Sequence, residues 1–262
     1  MKTVSRHFID LPAGTVHFAS CGSGPPVLLL HQTPRSWDEY RDVLPLLGRH
    51  FRAIAMDTPG YGDSSKQPEL RDSIEAWAGV AMSLADALGL ERLAVVGHHT
   101  GAAIAIEMAA AFGQRIRAAV LSAPPFVDAA RRARPPSRID DVARQNDGSH
   151  LTELWRIRQP WYPAGDIDLL ERFVVDALKA GPRAAEGHAV VTRYAMEDRL
   201  PLVRCPVLVI APTADPHAWP HARRVAGAIA GALVVEVEGG MVPLPDQMPE
   251  RFAGLVTQFL GA

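Results

Sequence analysis

Val95-Val96-Gly97-His98-His99-Thr100-Gly101-Ala102 joins two opposite structural signals within eight residues. Leu93 to Val96 is a short, wholly apolar run, the mark of a strand buried on both faces. Ala102 to Phe112 is alanine-rich, the mark of a helix. With almost no loop between them, the chain must turn sharply at His99. Such a turn forces its central residue into a strained backbone conformation, and the glycines two residues to either side relieve the crowding. The turn holds the His99 side chain up at the top of the sheet. It also sets the next backbone N–H, that of Thr100, at a helix N-terminus, where it stabilises negative charge.

The pattern continues on both sides. Residues 7–11 and 15–20 alternate and are split by Pro12-Ala13-Gly14, which predicts a hairpin. Val27 to Leu30 and Arg52 to Met56 read as buried strands, and so does Ala118 to Leu121. Ile74 to Leu88 places Trp77, Val80, Ala81, Leu84 and Leu88 at helical spacing. From Pro124 to about Leu202 there is no buried-strand run; this stretch is helical, charged and aromatic, with Arg131-Arg132-Ala133-Arg134, Trp155, Trp161-Tyr162 and Arg193-Tyr194. Alternation resumes with a strand over 206–210, a helix over 218–230, a strand over 233–237 and a last helix from about Pro249. Alternation predicts an α/β fold: a mostly parallel sheet with helices on both faces. Residues 1–123 and 203–262 are expected to form the core, and 124–202 a helical cap on the C-terminal edge of the sheet.

Composition narrows the function classes. The 262 residues are 48% hydrophobic, ample for a buried core, and the formal net charge is only -2. No basic field invites nucleic acid or an anionic membrane. Two cysteines, Cys21 and Cys205, make no disulfide framework and read as reduced structural thiols. No signal peptide or membrane-spanning run is visible, so a cytoplasmic protein is expected.

The stretch around His99 has the frame of the nucleophile elbow, G-x-S-x-G, and resembles the α/β-hydrolase superfamily, in its capped, epoxide-hydrolase-like or C–C-hydrolase-like form. Four more motifs carry the resemblance in order. Val27 to Pro34, VLLLHQTP, resembles the strand and H-G-x-P loop that supply one oxyanion donor. By position, that donor is the backbone N–H of Thr33, and Gln32 stands where glycine is usual. Asp57 to Ser64, DTPGYGDS, resembles the loop after the next strand. Val207 to Asp215, VLVIAPTAD, resembles the segment carrying the triad acid, which makes Asp215 that acid. Gly239-Gly240-Met241-Val242-Pro243 resembles the loop that normally reads G-G-H. The nucleophile position therefore holds His99, and the catalytic-histidine position holds Met241. Methionine neither takes nor gives a proton usefully near neutrality, so a serine acyl-enzyme route lacks both attacking group and base.

His99 is read as a general acid or base, because an imidazole titrates near neutrality. Its ring reaches further than a serine hydroxyl and can occupy space that a triad histidine normally fills. Asp215 then orients it directly or through water, with Thr33 and Thr100 as backbone oxyanion donors. The substrate pocket is expected to draw on His31, Gln32, His98, Trp155, Trp161, His188 and Met241, with His31 bracing the oxyanion loop and His98 packed beside the elbow. Arg35 is read as solvated, with a substrate carboxylate as its alternative partner. His217 and His221 are read as exposed decoration at a helix start. A metal site from His31, His99 and Asp215 matches no short ligand motif, so neither metal nor cofactor is expected. The favoured function is ester or lactone hydrolysis of a small, largely apolar carbonyl compound. A lyase or isomerase reaction (elimination, decarboxylation or cyclisation) and a non-catalytic ligand-binding protein are the alternatives. The expected partner is a small molecule, with an exposed cap face offering a surface for a homodimer.

Overall fold

In the computed structural model, which describes residues 3–65, 72–136 and 139–261, the alternation resolves into one eight-stranded sheet. Its strands are β1 (Ser5–Leu11), β2 (Gly14–Cys21), β3 (Pro26–Leu30), β4 (Arg52–Met56), β5 (Leu93–His98), β6 (Ile116–Ser122), β7 (Val207–Pro212) and β8 (Leu233–Val237). They lie in the order β1-β2-β4-β3-β5-β6-β7-β8. β1 and β2 form the antiparallel hairpin, β2 runs antiparallel to β4, and β3 to β8 are parallel. β5 is central, and every one of its residues is buried.

Two apolar layers cover the sheet, and the period of two along each strand sorts side chains between them. Leu28 and Leu30 of β3 and Val95 of β5 join Trp77 and Ile104 from helices α1 (Ile74–Ala87) and α2 (Thr100–Ala111). Val27, Leu29 and Val96 face the other way, onto Tyr40, Leu44 and Phe252. α2 starts at Thr100, two residues before the alanine run, because the His99 carbonyl already accepts from the N–H groups of Ala102 (2.9 Å) and Ala103 (3.3 Å).

Between β6 and β7 the chain forms helices α3 (Ser149–Arg158), α4 (Ile167–Ala180) and α5 (Arg183–Arg193), with no strand among the described residues. Leu154, Tyr162, Leu169, Leu170, Phe173 and Ala177 make a small core of their own there. Helix α6 (Trp219–Gly227) follows β7, and α7 (Pro249–Leu260) closes the described chain. Among the described residues no helix is long and apolar enough to cross a membrane.

A buried ion cluster ties this helical stretch to the sheet. Arg35 is not solvated: it is fully buried, because the carboxylates that neutralise it arrive from distant parts of the chain. Its Nε donates to Asp176 of α4 at 2.8 Å and a terminal nitrogen donates to Asp246 at 2.6 Å. Arg172 of α4 reaches Asp38 (2.6 Å) and Asp246 (2.7 Å). Burial pushes the Asp246 carboxyl up to about 6 despite the opposing pull of Arg35 and Arg172. Removing one partner of such a cluster strands a buried charge, at a cost of about 3–5 kcal/mol. Arg35→Met should therefore lower the unfolding free energy by that amount in urea denaturation, whereas replacing exposed Arg156 should leave it near wild type.

Candidate active site

The elbow is built by close backbone approach. His99 sits at φ 47° and ψ -110°, a region that costs a non-glycine residue on the order of 1–3 kcal/mol. A Cβ on Gly97 would lie 2.0 Å from the Gly101 carbonyl oxygen, and one on Gly101 would lie 1.8 Å from that of Leu30. Only glycine at both positions lets the end of β3 and the start of α2 approach this closely.

The strained backbone carries the His99 ring to Asp215. Nε2 and Oδ2 are 2.7 Å apart, with the histidine side chain 16% exposed and the aspartate fully buried. Neither atom has a well-aligned hydrogen bond, so the pair is a close, bent polar contact. A carboxylate only accepts, so the ring proton belongs on Nε2 and Nδ1 keeps the lone pair. Oδ1 of Asp215 accepts from the backbone N–H groups of His217 (2.9 Å) and Ala218 (3.1 Å). Burial works against ionisation of Asp215, but His99 and the His217 N–H outweigh it and hold the carboxyl down at about 2.

His98 points into the interior. Its ring meets that of His99 edge-on, with centroids 4.7 Å apart. One nitrogen is 2.7 Å from the Val242 carbonyl oxygen and the other 2.9 Å from Ser122 Oγ. Burial, reinforced by His99, lowers its pKa to about 3, so the ring is neutral. Nε2–H then donates to Val242 and Nδ1 accepts from the Ser122 hydroxyl.

A cavity of about 140 Å³ opens over the elbow, lined by Gln32, Thr33, His99, Thr100, Pro125, Val242 and His217 from the core and by Arg131, Ile139, Arg158, His188, Val191 and Thr192 from the helical stretch. The Thr33 and Thr100 hydroxyls pair at 3.0 Å, and the backbone N–H groups of both residues have no acceptor among the described residues. Gln32 donates from its backbone N–H (2.9 Å) and side-chain amide (2.6 Å) to buried Glu39. Burial raises the Glu39 carboxyl to about 8, against the opposing Arg35.

Five expected lining residues stand elsewhere. His31 is buried, with its nitrogens 2.8 Å from the Gln32 carbonyl oxygen and 2.9 Å from the Thr58 N–H. His98 is committed to Val242 and Ser122, as above. Met241 is half-buried, its N–H given to Gln247 at 2.7 Å, and its neighbour Val242 lines the cavity instead. Trp155 lies on an outer apolar groove with Leu151 and Val175. Trp161 meets the His217 ring edge-on, centroids 4.7 Å apart, and is not itself a lining residue. His217, read as decoration, is thus a cavity residue. The sequence also gave no sign of Arg158, whose Nε donates to Asp140 at 3.0 Å, or of Asp140 itself, which meets His188 at 2.8 Å. Polar residues are numerous in the lining, although its exposed surface is more apolar than polar. A larger cavity of about 280 Å³ lies within the helical stretch and is lined by neither His99, Thr33 nor Thr100.

Residues 25–180 match the alpha/beta hydrolase fold family. The chain belongs to that family. Bifunctional epoxide hydrolase 2 of Sus scrofa is 36% identical over 118 residues, 44% of this chain and 21% of that protein. Soluble epoxide hydrolase of Corynebacterium sp. is 35% identical over 106 residues, 40% of this chain and 37% of that protein. The match thus spans well under two thirds of these relatives. Among solved structures, the enol-lactonase of Burkholderia xenovorans superposes with a TM-score of 0.81 at 21% identity, covering 98% of this chain and 100% of that one.

The Asp215 pKa has a consequence for stability. Its folded value lies below the ordinary 3.8, so the stabilisation is present above pH 4 and is lost as pH falls through about 2. Asp215→Asn should cost about 2 kcal/mol at pH 7. The difference from wild type should shrink in acid denaturation curves recorded down to pH 2.

Proposed function

We propose that the protein is a cofactor-independent hydrolase in which His99, not a serine, drives the chemistry as a general base. The observation that carries this reading is the 2.7 Å contact of His99 with buried, ionised Asp215. The same cavity also holds the two free oxyanion amides. The substrate is a small ester or lactone whose carbonyl oxygen accepts from the N–H groups of Thr33 and Thr100. A water molecule attacks the carbonyl carbon while Nδ1 of His99 takes its proton, and the cation that forms is stabilised by Asp215. No covalent enzyme intermediate is needed, which suits an elbow without a hydroxyl. The mixed lining, apolar surface with several polar side chains, favours a largely apolar substrate with a further polar group, and the cavity volume favours a small one. The helical stretch acts as the cap that shapes this cavity. Epoxide hydrolases among the relatives and an enol-lactonase among the structural neighbours agree with hydrolysis as the class of reaction.

His99→Ala should lower kcat on p-nitrophenyl acetate by about 10²–10⁴-fold, with an unchanged circular dichroism spectrum. Asp215→Asn should lower kcat with little change in KM. Undiminished turnover in His99→Ala would remove the general base from the scheme.

A further inference from the structure

The cavity is faced by a second histidine–carboxylate pair, on the helical wall opposite the elbow. Nε2 of His188, on α5, lies 2.8 Å from Oδ2 of Asp140. The His188 side chain is 26% exposed and lines the cavity, while the Asp140 side chain is fully buried. Arg158 already satisfies this carboxylate with two donors, one to each oxygen. Asp140 therefore does not need His188 to neutralise it. Burial opposes ionisation of Asp140, but Arg158 and His188 hold its carboxyl below the ordinary value, so it meets the imidazole as an anion.

The placement of His188 is fixed by a close approach to the oxyanion loop. Its neighbour Gly187 sits on Thr33, where a Cβ would lie 2.5 Å from the hydroxyl oxygen. α5 thus packs against the loop that carries Thr33, and the next residue lines the same cavity as His99. His217 links the two pairs electrostatically: burial lowers its pKa, Asp215 partly offsets this, and His99, Arg158 and His188 lower it further.

We infer that His188, held by Asp140, is the general acid that protonates the leaving group, a role that rests on the hydrolytic reading of His99. Water gives its proton to His99 Nδ1, and its oxygen bonds to the carbonyl carbon. As the tetrahedral oxyanion collapses, the C=O bond re-forms and the C–O bond to the alcohol breaks. The departing oxygen takes the proton from the His188 imidazolium. Carboxylic acid and alcohol are released, and one proton passing through water from His99 to His188 restores both rings.

Two acetate esters separate this role from packing. Ethyl acetate expels an alkoxide that needs a proton as it leaves, and p-nitrophenyl acetate expels a phenolate that does not. His188→Gln, with His188→Asn as a second variant in case one folds poorly, should lower kcat on ethyl acetate about 100-fold. The same variants should slow p-nitrophenyl acetate by a far smaller factor, because its phenolate leaves without a proton. His99→Ala should slow both esters. Equal losses on the two esters in the His188 variants, or no loss on either, would overturn the acid role while leaving the His99 reading intact. A wild-type protein inert to both esters, or a His99→Ala protein active on both, would instead overturn the hydrolytic reading and the acid role together.

Discussion

A sheet strand that becomes a helix without a loop can do so only by placing one residue in a backbone region that side chains avoid, and the rest of the site is arranged around that constraint. His99 occupies the strained position, and Gly97 and Gly101 are small enough to let the ends of β3 and α2 meet there. The surrounding strand is buried on both faces, so the strain has no outlet through local movement. His99 is consequently held at one height above the sheet. From there its ring reaches Asp215 at the end of β7, and the N–H of Thr100 begins the helix at the same point. Three groups from two stretches of chain owe their relation to a single turn.

The charges around the elbow are graded in a way that suits one ionised acid beside the elbow ring. Asp215 is kept anionic by the imidazole and by backbone N–H groups. His98, in ring contact with His99, is kept neutral by burial and so adds no competing positive charge. Its hydrogen bond to the Val242 carbonyl also ties down the loop that carries Met241. The residue before the elbow thus takes over a structural task in that loop, while the elbow residue makes the contact with the acid.

The strands and helices were legible because each repeats a local period, of two or of 3.6 residues. The elbow was legible because its glycines stand at fixed offsets from the turn, and Asp215 because it closes a recognisable strand and loop. What stayed hidden was pairing between distant parts of the chain. Arg35 meets Asp176 and Asp246, and Asp140 meets Arg158 and His188, with no pattern of spacing to announce either group. The same holds for the aromatic residues of the helical stretch. Trp155 and Trp161 have the composition of pocket walls, yet helix packing turns one toward an outer groove and sets the other edge-on against His217. Composition proposes which side chains can line a cavity, but tertiary packing decides which of them do.

The buried Arg35 cluster bears on the chemistry through position alone. It joins α4 to the loop after the oxyanion residue and to Asp246, which lies just beyond the Met241 loop. α5 is seated by a separate contact, the approach of Gly187 to Thr33. Two independent fixings, one ionic and one steric, therefore set the distance between the helical wall and the core wall. A cavity whose height is fixed in this way leaves little space for bulk beside His99 and His188, so the size of what can enter is decided by contacts made outside it.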